Sequence, residues 1–183
     1  EIPDSPSLSL SENFTVIIWI EPDISSNNLH YALMTKGWND GACSDPTISE
    51  WHFSLSKDIN NPGNYNYRPH YLQNCHWGHR SGDELINDSE KYMLASVYKN
   101  DRYISYVNGE EDQEYIFPTN SPTLDLPGTL RFGSYDGGLW GGDIEYHFQG
   151  QIYKAVIIND DLSSEDILEI YNTYGENLNQ YNL

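Results

Sequence analysis

The fold is decided by the stretch Phe148-Gln-Gly-Gln-Ile-Tyr-Lys-Ala-Val-Ile-Ile-Asn-Asp-Asp-Leu-Ser-Ser-Glu-Asp-Ile-Leu-Glu-Ile-Tyr-Asn-Thr-Tyr174, near the C-terminus. Its first half is an apolar run bounded by Gly150 and Asn159, which predicts a β-strand. Because successive strand residues point to opposite faces, one side is predicted to carry Ile152, Lys154, Val156 and Ile158, and the other Tyr153, Ala155 and Ile157.

The second half of this stretch predicts the one helix of the chain. Ser163 is a favourable N-cap, Asp166 stands three residues later in the position of a capping box, and Gly175 is a natural end. A short isolated helix is not stable in water, so this helix is expected to pack on a sheet formed by the rest of the chain. Its apolar stripe consists of Ile167, Leu168, Ile170, Tyr171 and Tyr174.

The preceding residues read as a series of short strands at hairpin spacing. Asn108-Gly109 is the strongest turn signal, and residues 73–90 are predicted to form a long polar loop. About ten strands with one late helix predict an all-β fold, a two-sheet antiparallel sandwich, and residues 1–183 show no linker or repeat and are expected to form a single domain. The other predicted strands are Phe14–Ile20, Tyr31–Lys36, Trp51–Ser56, Tyr67–Leu72, Tyr92–Tyr98, Tyr103–Val107, Gln113–Phe117 and Leu130–Gly133.

The charge of the chain limits its partners. It has 28 Asp and Glu against nine Lys and Arg, a net charge of −19. Such a surface repels nucleic acids and anionic membranes, and the longest apolar run, Val16–Ile20, is too short to cross a bilayer. Neither nucleic-acid binding nor membrane insertion is therefore expected. The same charge would attract calcium, although solubility alone explains it equally well.

Several short motifs follow one another along the chain: the opening at residues 1–22, Lys36-Gly37, the hairpin from Tyr92 to Gly109, the pair Leu130–Gly133 and Phe148–Ile152, and Leu162–Ile167. In this order they resemble the laminin-G-like, concanavalin A-like jelly-roll family of lectins and glucanases. The resemblance implies one concave and one convex sheet, an extracellular or cell-surface location, glycan or protein ligands and often a structural calcium. Tyr153 departs from it, because the family commonly has at this position an Asp that binds calcium.

The loop at residues 134–145 is the richest candidate for a ligand site. Trp140 and Tyr135 offer flat faces for sugar rings, and Asp136 and Asp143 offer acceptors for hydroxyl groups. With Glu145, the same two aspartates could bind calcium, for which Asp40 and Asp45 are the alternative. A flexible loop in which Trp140 covers the edge of the sandwich remains the competing interpretation.

Two further loops carry aromatic and polar side chains. Trp38 and Asn39 lie on one, Trp77 and Arg80 on the other, and a Cys43–Cys75 disulfide would hold the two loops together. With Trp140 they could form one glycan-binding platform, or else individual tryptophans could pack at sheet edges. Such a disulfide implies an oxidising compartment. Cys75, His76 and His79 are too few for a structural zinc site.

Catalysis is not expected, although one motif resembles that of a glucanase. Glu110-Glu-Asp-Gln-Glu114 has the two-residue period of a laminarinase-type glucanase, with three carboxylates on one side of a strand. It follows the Asn108-Gly109 turn directly and lacks apolar alternate positions, which favours an exposed acidic hairpin. His30, His52, His70 and His147 are interpreted as isolated surface or edge residues.

The sequence therefore predicts a non-catalytic, extracellular carbohydrate-binding module of a larger secreted or surface protein. Calcium is its possible cofactor, and a glycan or polysaccharide is its expected partner. The alternative is an adhesion domain that binds a cell-surface protein, and a glucanase is the third reading.

Overall fold

The computed structural model describes residues 2–8, 10, 13–24, 30–36, 51–58, 64–73, 76–79, 81–99, 101–117, 128–134 and 147–175. They form eleven strands, one helix and a 3₁₀ turn at Pro6–Leu8. The strands are β1 (Asn13–Pro22), β2 (His30–Lys36), β3 (Trp51–Lys57), β4 (Tyr65–Gln73), β5 (His76–His79), β6 (Leu85–Ile86), β7 (Tyr92–Lys99), β8 (Arg102–Val107), β9 (Glu110–Ile116), β10 (Leu130–Phe132) and β11 (Gly150–Ile158), and the helix is α1 (Ser164–Tyr174).

The strands form two sheets, and every ladder between them is antiparallel. Sheet A has the order β10-β2-β3-β4-β5, with β6 also paired to β4, and sheet B has the order β11-β1-β7-β8-β9. The first residues of the described chain join sheet A, because Ile2 exchanges two backbone hydrogen bonds with Leu130. The predicted two-sheet sandwich with one C-terminal helix is confirmed.

An aromatic core fills the space between the two sheets. Trp51, Phe53 and Leu55 alternate along β3 and are all completely buried, as their spacing predicts. Tyr71 of sheet A lies at its centre, with its ring 5.3 Å from that of Tyr98 on sheet B. The one polar atom that Tyr71 brings into this core is satisfied, since its hydroxyl lies 3.0 Å from Oγ of Ser96.

Helix α1 covers the outer face of sheet B. Ser163 and Asp166 form the predicted capping box at its start, with both reciprocal hydrogen bonds present. Ile167 is completely buried in a second apolar cluster that includes Trp19 and Tyr106 of sheet B. The predicted stripe is too wide, because the side chains of Leu168 and Tyr174 are exposed. Among the described residues, no helix is both long and apolar enough to cross a membrane.

Two other expectations were wrong in detail. The alternation of β11 slips at a bulge opposite Trp19 and Ile20, so that Ile152 faces the core between the sheets while Val156 and Ile158 face α1. The predicted polar loop at residues 73–90 contains β5 and β6, which both pair with the free edge of β4. These strands are short and lack an apolar alternation, so backbone pairing rather than side-chain pattern defines them.

Candidate functional site

The outer face of sheet A lies away from the core and on the other side of the sandwich from α1. Its side chains alternate with core residues: His52, Ser54 and Ser56 occupy the positions between Trp51, Phe53, Leu55 and the end of β3. We name this surface the polar face. In the described strands it consists of His30, Thr35, His52, Ser54, Ser56, Asn66, Arg68, His70 and Arg131.

One row of cross-strand neighbours runs across the polar face. Register places Arg131 opposite Thr35, Thr35 opposite His52, and His52 opposite His70. The imidazole rings of His52 and His70 stack, with centroids 3.9 Å apart and planes inclined by 20°. The row continues in the backbone register, which pairs His70 with His79 of β5.

The rows next to it are linked by hydrogen bonds around Ser56. Its Oγ lies 3.0 Å from Nδ1 of His30, and Nη1 of Arg68 donates to the same oxygen at 3.4 Å. Ser54 Oγ in turn donates to the backbone carbonyl of Arg68 at 3.2 Å. Burial, and then the positive charge of Arg68, lower the pKa of His30, which is therefore neutral at pH 7.

Arg68 has an incomplete set of acceptors. Its Nε is buried and has no hydrogen-bond partner among the described residues, and burial lowers the pKa of its guanidinium group. None of the described carboxylates forms an ion pair with it. Arg102 on sheet B provides the contrast, because it binds Glu114 at 2.8 Å and Asp101 at 3.0 Å.

The polar face has a buried part and an accessible part. Its hydroxyl and amide side chains lie deep between larger neighbours, and Ser54 is only 3% exposed. Its partly exposed polar side chains are all nitrogen bases or cations, and these are the polar groups that a ligand can reach. They are His30, Arg68, His70 and Arg131.

Charge is distributed unevenly between the two sheets. None of the described strand residues of sheet A is Asp or Glu, although the chain has 28 of them. Strand β9 of sheet B alone has four. Five of the six histidines lie in strands of sheet A, and the sixth, His147, forms a backbone bridge to Ala32 of β2. The interpretation of His30, His52 and His70 as isolated residues is therefore wrong, because His52 stacks on His70 and His30 contacts Ser56 through the sheet register.

Most of the predicted ligand residues lie outside the described residues, but the described residues next to them belong to sheet A. Thr35 Oγ1 donates to the carbonyl oxygen of Ser134 at 3.1 Å, and Ser134 is the last described residue before the segment 135–146. His147, the first described residue after this segment, forms a bridge to Ala32 of the same sheet. Tyr135, Asp136, Trp140, Asp143 and Glu145 fall within this segment, so their roles stay predictions.

The other predicted residues attach to the same sheet. Trp38 and Asn39 follow the last residue of β2, and Arg80 follows the last residue of β5; all three lie outside the described residues. Trp77 is part of β5, where the register pairs it with Leu72 of β4. The nearest described residues next to the predicted ligand positions thus belong to sheet A or pair with it.

The disulfide and the metal site also stay predictions. Cys43, Cys75 and the alternative calcium residues Asp40 and Asp45 lie outside the described residues. Within the part of the chain that the structure describes, no group of three or more His, Cys, Asp or Glu side chains could hold a metal ion. Tyr153, which replaces the expected calcium-binding Asp, donates its hydroxyl hydrogen to Glu21 of the neighbouring strand.

The glucanase-like motif does not form a catalytic pair. A bulge in β9 makes Asp112 the extra residue between the pairs Ser105–Gln113 and Tyr106–Glu111. Its carboxylate accepts hydrogen bonds from the backbone N–H groups of Asp83 and Glu84, at 2.8 and 2.9 Å. Glu114 instead faces outward and binds Arg102. The expected alignment of three carboxylates on one side is therefore wrong.

These features define a jelly-roll sandwich in which α1 covers the outer face of sheet B and the outer face of sheet A is polar. The chain belongs to the concanavalin A-like lectin/glucanases superfamily, whose Laminin_G_3 model matches residues 1–168. No curated protein matches the sequence.

Solved structures with this fold are similar in shape but distant in sequence. The CBM40 of the Ruminococcus gnavus IT-sialidase, bound to α2,3-sialyllactose, is 15% identical with a TM-score of 0.68, over 90% of this chain and 85% of that one. The heptameric SAP-like pentraxin of Limulus polyphemus is 14% identical with a TM-score of 0.65, over 93% and 79% of the two chains. Domain 4 of AbnA, an extracellular GH43 arabinanase of Geobacillus stearothermophilus, in complex with arabinotriose, is 19% identical with a TM-score of 0.58, over 90% and 68%.

Proposed function

We propose that this chain is a non-catalytic, extracellular carbohydrate-binding module that binds its glycan on the polar face of sheet A and the segments attached to it. The observation that supports the proposal is that the described residues flanking the predicted ligand segments belong to sheet A or pair with it, and that the outer face of this sheet carries hydroxyl, imidazole and guanidinium groups. Sugars require this combination, because their hydroxyl groups need hydrogen-bond partners and their C–H faces need flat apolar rings.

Two of the similar structures favour the same ligand class. The CBM40 of the IT-sialidase is bound to sialyllactose, and domain 4 of AbnA is in complex with arabinotriose. Both have this chain's fold. The absence of an aligned carboxylate pair in β9 agrees with a binding role, since a glycosidase needs an acid and a nucleophile or base on either side of one bond.

The aromatic side chains are expected to supply most of the affinity. Stacking partners are Trp38, Trp77, Trp140 and Tyr135, while Asn39, Arg80, Asp136 and Asp143 would bind hydroxyl groups or acidic substituents. Calcium would act as a structural or ligand-bridging ion through Asp136, Asp143 and Glu145.

The test is a glycan array followed by calorimetry with the strongest ligand. Replacing Trp140 by Ala is expected to weaken binding about 10-fold or more, the effect of losing a stacked ring worth roughly 1.5 kcal/mol. Tyr174→Ala is the matched control, since this exposed aromatic residue lies on α1, on the other side of the sandwich. Binding with and without EDTA tests the role of calcium.

Absence of binding to any glycan at millimolar concentration would refute the proposal. Calcium-dependent binding of a purified cell-surface protein, without a response to sugars, would assign the chain to the alternative class of adhesion domains. Release of reducing sugar that is lost in Glu110→Gln would instead establish a glucanase.

A further inference from the structure

We infer that the polar face selects glycans that carry an acidic group, a carboxylate or a sulfate ester. This inference rests on the proposed function and specifies its ligand class. It is motivated by the acid-free strands of sheet A and by the incomplete acceptor set of Arg68.

The overall charge of the chain makes an acidic ligand unexpected. Whether such a ligand binds therefore depends on the charges close to the site. With a net charge of −19 the protein repels anions at long range. At physiological salt, however, the Debye length is about 8 Å, so a bound group responds mainly to charges in its immediate surroundings. Among the described side chains of the polar face, Arg68 carries a charge that no ion pair balances, and the described strands of sheet A contain no carboxylate.

An acidic group of a glycan would supply the hydrogen-bond acceptors that Arg68 lacks. A guanidinium group has five N–H donors and no acceptor, and it matches the two oxygens of a carboxylate or sulfate. In Arg68 the described residues provide one long bond, from Nη1 to Ser56, and none to the buried Nε. The side chain of Arg68 is partly exposed, so an arriving oxyanion can accept hydrogen bonds from its Nη groups and neutralise its charge. Neutral sugar hydroxyls would satisfy the donors but would leave the charge uncompensated.

The neighbouring imidazoles add hydrogen bonds more than charge. His30 is held neutral by burial and by Arg68, and its Nδ1 faces the hydroxyl of Ser56. His70, whose ring stacks on that of the buried His52, is partly exposed on the same surface. A sugar ring can lie against His70 while its acidic substituent reaches Arg68, two positions away on β4.

The experiment compares sugars that differ only in the acidic group. Isothermal titration calorimetry is performed with lactose, 3′-sialyllactose and 3′-sulfolactose, and with neutral and uronate-containing oligosaccharides chosen from the array. The acidic member of a matched pair is expected to bind at least about 10-fold more tightly than its neutral partner, the effect of one charge-assisted hydrogen-bonded pair. The carboxylate and sulfate arms show which oxyanion is preferred.

Arg68→Gln is expected to weaken acidic ligands about 10- to 100-fold and to leave neutral ligands within about 2-fold. Arg102→Gln makes the same change in net charge on sheet B and is expected to leave both ligands unaffected. Arg68→Lys keeps the charge without the planar fork, so it should recover part of the preference. Circular dichroism and the melting temperature identify a variant that fails to fold, and Arg68→Lys then serves in its place.

The outcomes separate this inference from the proposed function. Equal affinity for the acidic and neutral members of each pair, or an equal loss in Arg68→Gln and Arg102→Gln, would overturn the acidic-ligand inference while glycan binding stands. Absence of binding to any sugar would overturn both.

Discussion

The turn at Asn108-Gly109 provides a direct test of how α1 is seated on the sandwich. Gly109 has φ = +87°, a left-handed conformation that residues with a side chain rarely adopt. It also touches the helix: a Cβ atom built on Gly109 would lie 3.0 Å from Cδ1 of Leu168 and 3.0 Å from Cβ of Tyr171. A methyl group at this position would therefore strain the turn and press against α1 at once.

The two effects can be given magnitudes. A left-handed conformation costs an L-residue about 1–2 kcal/mol, while the stiffer unfolded chain of an alanine variant returns about 0.4–1 kcal/mol. The contacts with Leu168 and Tyr171 add to this cost, since α1 must shift by a few tenths of an ångström or the turn must open. We expect Gly109→Ala to lower the free energy of unfolding by about 1–3 kcal/mol, or the melting temperature by roughly 2–4 °C per kcal/mol in a chain of this size.

The assay is urea unfolding followed by tryptophan fluorescence, with thermal melts in parallel. Gly109→Asn separates the two causes, because asparagine adopts left-handed conformations more readily than alanine but places the same Cβ against α1. Equal destabilisation of both variants would identify the helix contact as the larger cost, and a milder effect of asparagine would identify the backbone. Surface substitutions usually change the free energy of unfolding by no more than about 0.5 kcal/mol. A change within that range for Gly109→Ala would refute the reasoning.

Two further predictions concern α1 and the bulge of β9. Ile167→Ala should lower the free energy of unfolding by about 2–5 kcal/mol, because it leaves a cavity at a completely buried position. Leu168→Ala, at a neighbouring position that is 38% exposed, should lower it by less than about 1 kcal/mol. Urea unfolding compares the two variants, and equal effects would contradict the packing of α1 on sheet B. Burial raises the pKa of Asp112 above its ordinary 3.8, against the hydrogen bonds from Glu84 and Asp83. A raised folded-state pKa means that stability from this group is present below pH 3.8 and is lost as the pH rises through the folded pKa. Asp112→Asn should therefore gain stability relative to the parent between acidic and neutral pH, and melting curves at pH 3 and pH 7 with no relative change would exclude this.

The fold was predictable from the sequence because its strongest signals are local. The capping box at Ser163 and Asp166 and the alternation of Trp51, Phe53 and Leu55 each depend on residues close in the chain, and each is present in the structure. The errors arose where a distant strand decides the geometry. The bulges in β9 and β11 depend on how β8 and β1 pair with them, and no sequence period announces the slip.

The polar face was less accessible to sequence reasoning for the same reason. His52 and His70 are far apart in the chain, and only the register of β3 against β4 stacks them. A usable signal was nevertheless present, since β3 alternates large apolar residues with His52, Ser54 and Ser56. That pattern predicts a strand with one polar side. The absence of acidic residues across the neighbouring strands would have shown that this side differs from the rest of an acidic chain.

Strand propensity by itself does not explain that absence. Asp and Glu are disfavoured in strands generally, so some depletion is expected in both sheets. Yet β1 contains Glu21 and β9 contains four acidic residues, within the same sandwich and the same acidic chain. Three of the five strands of sheet B, β7, β8 and β11, also lack Asp and Glu, so the difference between the sheets lies in Glu21 and β9. A requirement for binding on the outer face of sheet A would account for both the missing carboxylates and the unpaired Arg68. The substitution Ser54→Asp would place a carboxylate directly opposite Arg68 in the register. If the face serves binding, this variant should lose its acidic ligands selectively. Because Ser54 is only 3% exposed, circular dichroism and the melting temperature are measured alongside to show that the variant is folded.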